Sequence, residues 1–154
     1  MKSHNEFLWD IVRKYKDAGG TWPATSREIA LWAIENKLWA PQPAAVVGQC
    51  ADQLSRAMRD EYIVDPQGRK VRVKHSATIG DGPDQQSLWD DSRTASPKFM
   101  EIAFQGRRRQ IVGDCRQLKN DVDSYNENRC PPKLIQVVFD FTHDLLEQEL
   151  ALAD

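Results

Sequence analysis

Apolar positions along the chain fall into a small number of periodic blocks. Phe7, Leu8, Ile11, Val12 and Tyr15 share one face of a helix over residues 6–18, which stops at Gly19-Gly20. Ile29, Ala30, Ala33 and Ile34 mark the inward side of a second helix running to Lys37, with Leu38-Trp39 closing it before Pro41 and Pro43. Thr25 and Glu28 have the spacing of a capping box at its start. A third helix is expected over residues 44–61. Val47, Cys50, Ala51, Leu54, Ala57, Met58 and Tyr62 recur there at three- and four-residue steps, while Gln49, Gln53, Ser55, Arg56 and Arg59 occupy the polar side.

The period then changes to two. Tyr62-Ile63-Val64 and Val71-Arg72-Val73 flank Asp65-Pro66-Gln67-Gly68, in which proline presets one turn dihedral and glycine accepts positive φ, so the stretch predicts a hairpin. Its returning strand alternates Val71 and Val73 with Lys70, Arg72 and Lys74. Thr21-Trp22-Pro23 is an extended connector, and a short third strand near Thr21-Trp22 is expected to pair with the hairpin.

The order helix, helix, turn, helix, hairpin resembles a winged helix-turn-helix domain. The resemblance covers residues 6–75, about half the chain, and is carried by Ser26-Arg27-Glu28-Ile29-Ala30, the amphipathic third helix and the Asp65–Gly68 turn. The chain departs from the pattern in a longer second helix and in Pro41 and Pro43 between the second and third helices. The resemblance implies double-stranded DNA binding, with the polar face of the third helix in the major groove and the hairpin cations near phosphates. The DNA-binding residues it implies are Gln49, Gln53, Ser55, Arg56, Arg59, Arg69, Lys70, Arg72 and Lys74. Were Arg56, Arg59, Lys70, Arg72 and Lys74 all to neutralise phosphates, the log–log salt slope would be about −4.5.

Residues 76–97 lose periodicity. Gly80, Gly82, Pro83 and several aspartates predict a polar linker or loop, in which the pair Leu88-Trp89 either docks on the domain or waits for a partner. A long helix of about 42 Å is expected from Lys98 to Tyr125. Phe104, Ile111, Cys115, Leu118, Val122 and Tyr125 fit alternating a and d positions there, with Arg108 interrupting. So narrow a stripe suits an antiparallel helical hairpin or a homodimer interface over residues 98–154. After a break at residues 126–132, Leu134, Val138, Phe141 and Leu145 continue a helical spacing. Ile135, Val137, Phe139 and Phe141 alternate like a strand, but Pro132 at a helix start favours helix. The expected fold class is mainly α with a small β-hairpin wing, in the domain order 1–75, 76–97, 98–154.

Charge modifies this picture. The formal net charge is −2, against the basic balance usual in nucleic-acid binders. The sign nevertheless divides: residues 1–75 hold twelve lysines and arginines against nine acids, residues 76–154 nine against fourteen. A basic binding module joined to an acidic one has this signature. Arg107-Arg108-Arg109 forms a second basic cluster, read either as a solvated face or as a phosphate clamp beside the DNA site.

Three widely spaced cysteines, Cys50, Cys115 and Cys130, read as reduced thiols. No run of about 18 apolar residues is present, and Met1-Lys2-Ser3-His4-Asn5-Glu6 lacks the order of a signal peptide, so no membrane partner and a cytoplasmic address are expected. No phosphate loop, His-Glu-x-x-His, Cys-x-x-Cys or Gly-x-Ser-x-Gly occurs. The aspartates of residues 81–91 lack the spacing of an EF-hand. No catalytic residue, metal or cofactor is therefore assigned, and no enzyme is expected. Trp22, Trp32 and Trp39 read as core in preference to an effector pocket. The expected function is sequence-dependent DNA binding by a dimeric transcriptional regulator. The alternative is a protein–protein adaptor that uses the winged-helix module and the acidic tail.

Overall fold

The computed structural model describes residues 1–153, which are mainly helical with two small antiparallel hairpins. The chain divides into two compact units, residues 1–55 and 56–154.

In the first unit α1 (His4–Asp17) packs on α2 (Ser26–Glu35). Tyr15 is the centre of that contact. It is buried, meets Trp22 and Trp32 edge-on at 5.8 and 5.5 Å, and donates its hydroxyl to the Thr21 carbonyl at 3.2 Å. Gly20 approaches the Tyr15 ring so closely that a Cβ there would overlap it. Both helices begin with capping boxes, Ser3 with Glu6 and Thr25 with Glu28. The Thr25 hydroxyl accepts the Glu28 N–H at 3.1 Å, and the Glu28 carboxylate takes the Thr25 N–H at 2.6 Å. The Thr25 N–H and then its hydroxyl hold the Glu28 carboxyl below its usual pKa.

Of the predicted apolar faces, Ile11, Tyr15 and Ala33 are buried and Leu8 and Ile29 half-buried, whereas Ile34 and Ala30 remain exposed. An open groove of about 410 Å³, lined by Ile11, Ile29, Ile34 and Trp39 among others, runs along one side of the packed helices. The third helix, α3 (Val46–Arg59), forms as predicted but buries none of its side chains. Val46, Val47 and Leu54 are exposed, so the three-helix core of the resemblance is not seen. The predicted strand at Thr21-Trp22 is also absent among the described residues: the Thr21 carbonyl is taken by the Tyr15 hydroxyl instead of by a ladder.

The second unit opens with the expected hairpin, β1 (Tyr62–Val64) antiparallel to β2 (Lys70–Arg72), with Ile63 opposite Val71. Asp65 organises the turn, its carboxylate accepting the N–H groups of Gln67 and Arg69 at 3.0 and 2.8 Å, with Gly68 at φ +87°. Residues 76–97, read as a linker, are instead mostly a second hairpin: β3 (Lys74–Ile79) pairs antiparallel with β4 (Gln86–Asp91). The glycines and Pro83 belong to its connection, and Leu88-Trp89 lies inside β4. Val73, between β2 and β3, is fully buried and joins the two hairpins. Its N–H donates to the Glu61 carbonyl at 3.1 Å and its carbonyl accepts the Ser92 N–H at 2.8 Å.

Helix α4 (Pro97–Arg129) lies across β3, where Ala77 and Ala103 are buried and His75 meets Phe104 edge-on at 5.2 Å. Ser96 caps it through the Phe99 N–H, with Pro97 in the first turn. It runs four residues beyond the expected end and stops at Cys130, φ +45°, where two prolines follow. The helix expected from Pro132 does not start there. Asn126 grips the backbone of Ile135 from both sides, donating to its carbonyl at 2.9 Å and accepting its N–H at 3.1 Å. Those groups are lost to any helix, and β-branched Ile135, Val137 and Val138 favour the open conformation. Helix α5 begins only at Thr142 and runs to Leu152, burying none of its side chains, so no helical hairpin closes over α4.

Replacing Thr25 by alanine is expected to lower the stability of the first unit by about 1 kcal/mol, measured by urea unfolding of the full chain. An unchanged midpoint would show that this cap carries no stability.

Candidate nucleic-acid interface

The strongest charge cluster sits where β2, β3 and β4 meet α4. A groove of about 430 Å³ is lined by Arg59 at the end of α3, Arg72 and Lys74 on the strands, and Arg107 and Arg109 on α4, together with His75 and Trp89. Among the described residues no carboxylate lines it. A neighbouring recess of about 470 Å³, to which Tyr62 and Lys70 contribute, shares Arg72, His75 and Arg107 with the groove.

Cross-strand pairing explains the spacing. Ser76 faces Trp89 and Lys74 faces Asp91, and residues directly opposite in an antiparallel pair project to the same side. The Trp89 ring is therefore placed beside the β3 side chains, and the Arg59 guanidinium lies over it at 5.5 Å from the centroid. Lys70 rests on Tyr62 in the same manner, at 4.6 Å. His75 donates Nε2–H to the Arg72 carbonyl at 3.0 Å, which fixes its ring against Phe104.

The cations divide by what they already hold. Lys74 is engaged, with Nζ 3.3 Å from Glu61 and 3.5 Å from Asp91. Asp91 is also forked by Arg93 at 2.7 Å, and the hydrogen bonds from Arg93, followed by the charges of Arg93 and Lys74, hold its carboxyl far below the usual carboxylate range. Arg69 is tied to Asp65 in the hairpin turn at 2.7 Å. Arg72, Arg107 and Arg109 form no ion pair among the described residues, and Arg59 has only the Trp89 ring.

The nine positions expected from sequence are thus sorted. Arg59, Lys70, Arg72 and Lys74 come together on one basic surface. Arg69 belongs to the turn, and Arg56 is exposed but does not line the groove. Gln49 and Gln53 are exposed and Ser55 half-buried on the part of α3 that falls in the first unit. Arg107 and Arg109 were legible as a cluster; Arg108, between them on the helix, does not line the groove. Trp89 stands out in the sequence only as half of a Leu-Trp pair that docks or awaits a partner, and His75 carries no signal as a site residue, because the placement of both depends on the second hairpin.

No family model, no curated protein and no solved structure matches the chain. All three cysteines are free, Cys115 half-buried and the other two exposed, and no helix of the described residues is long and apolar enough to cross a membrane.

The Asp91 pairing has a pH signature. A carboxylate whose folded pKa is depressed stabilises the fold above its unfolded value and loses that contribution as pH falls below about 4. Asp91→Asn is expected to flatten the acid limb of stability against pH, followed by thermal unfolding at pH 2–7. Parallel curves for the two proteins would rule this pairing out as a contributor.

Proposed function

We propose that this chain is a non-enzymatic nucleic-acid-binding protein that takes the phosphate backbone of double-stranded DNA into the Arg59–Arg72–Arg107–Arg109 groove. One observation carries the reading: five cationic side chains converge on a groove that no carboxylate lines, and among the described residues only Lys74 of the five has an ion pair. Unpaired guanidiniums crowded together repel one another, and phosphate oxygens relieve that repulsion while matching their fork geometry. Gln49, Gln53 and Arg56 on α3 are exposed groups suited to base edges, and they extend the proposal to a sequence-dependent regulator of transcription.

A protein–protein adaptor is the second reading, favoured by a specific feature: Val46, Val47 and Leu54 on α3 are exposed in place of packing into a core. Duplex binding separates the two. With Arg59, Arg72, Arg107 and Arg109 as phosphate ligands, the log–log salt slope for a random duplex is expected to be about −3.6, and Arg72→Ala or Arg107→Ala should each reduce its magnitude by about 0.9. Lys74→Ala should change the slope less, because its charge is already balanced, and Arg56→Ala should leave it unchanged on random sequence. Absence of duplex binding in low salt, or indifference to Arg107→Ala, would move the function to the adaptor.

A further inference from the structure

The basic groove and the recess beside it each contain an aromatic ring covered by a cation. In the groove the Arg59 guanidinium lies over Trp89, and in the recess Lys70 lies over Tyr62, at 5.5 and 4.6 Å from the ring centroids. Arg72, His75 and Arg107 line both cavities, so the two rings share one basic wall. Strand pairing sets this arrangement: Tyr62 lies directly opposite Arg72, and Trp89 directly opposite Ser76, which also lines the groove. Arg59 and Lys70 are exposed, and neither has an ion pair among the described residues. Each of these ring faces is thus covered by a side chain that no opposite charge holds in place.

We propose that the two cavities take successive bases of an unpaired DNA strand, one stacked on Trp89 and one on Tyr62, with the phosphate between them on Arg72 and Arg107. The inference rests on nucleic-acid binding at this groove and names the form of nucleic acid that fills it. Cations interleaved with aromatic rings are the composition of single-strand grooves, in which the charges follow the backbone and the rings receive the bases. The planar guanidinium on Trp89 already occupies the place of a stacked base. Lifted onto the outer face of an incoming base, it keeps a cation–π contact. A closed duplex cannot use the rings, because its bases cover one another and reach a protein pocket only when taken out of the stack. It meets the groove through its phosphates alone. The cavities, of about 430 and 470 Å³, fall in the range of small-ligand pockets, about 300–1,000 Å³, which suits one nucleoside-sized group in each.

Two measurements on the full chain decide it. Oligo(dT) and a random duplex of equal length are titrated at one salt concentration and followed by anisotropy of a label on the DNA. Trp89→Leu and Tyr62→Leu are each expected to lower the ratio of single-strand to duplex affinity about 5- to 150-fold, the worth of one stacked base, with duplex affinity unchanged. Oligo(dT) is also expected to quench the tryptophan emission of the native protein. Most of that quench should vanish in Trp89→Phe, which keeps a ring for stacking and therefore keeps the binding. Should a leucine variant lose its fold, the quench decides. A ratio unmoved in folded leucine variants, or an equal quench in Trp89→Phe, would overturn this proposal and leave duplex binding by the arginines standing. Binding of neither DNA in low salt would overturn both.

Discussion

The second unit depends on the main chain of one residue. Val73 gives its N–H to Glu61, just ahead of the first hairpin, and its carbonyl to Ser92, just after the second, while its side chain is wholly removed from solvent. Each hairpin alone is a two-stranded ribbon, a structure of marginal stability in water. Joined through Val73, with α4 packed on β3, they become one scaffold. A small contact surface suffices because Ala77 and Ala103 let helix and strand approach closely, and neither alanine has side-chain entropy to lose.

The same joint explains why the basic groove exists. Arg72 and Lys74 flank Val73 in sequence and line the groove with the α4 arginines. Acids are handled separately: Glu61 and Asp91 satisfy Lys74, and Asp91 also takes Arg93. The net negative chain thereby keeps a local surface of opposite sign, and overall charge is a poor guide to what this face can attract.

Legibility in the sequence followed the strength of local signals. The first hairpin, the capping box at Thr25 and the long helix were all readable, since a proline–glycine turn, a hydroxyl–carboxylate spacing and a heptad are encoded within a few residues. The Ser3–Glu6 box has the same hydroxyl–carboxylate spacing. The second hairpin was obscure for a physical reason: its buried positions are Val73 and Ala77, and an alanine in a polar run carries no hydrophobic signal. The non-helical run after Pro132 was decided by Asn126, a residue nine positions away from Ile135, which no window centred on the segment weighs. The exposed apolar side of α3 illustrates the converse, a clear period whose partner surface the period does not name. Recognition of the site suffered accordingly, since Trp89 and His75 enter it only through β3 and β4.

Helix α4 carries Arg107 and Arg109 about a third of the way along and Asn126 near its C-terminal end, on one unbroken run of 33 residues. Nineteen residues of α-helix from Arg107 to Asn126 fix their axial separation at about 28 Å. The helix is in effect a ruler. The Ile135 backbone that Asn126 holds is kept at a constant offset from the cationic groove, and that offset is set by a residue count in place of a flexible tether.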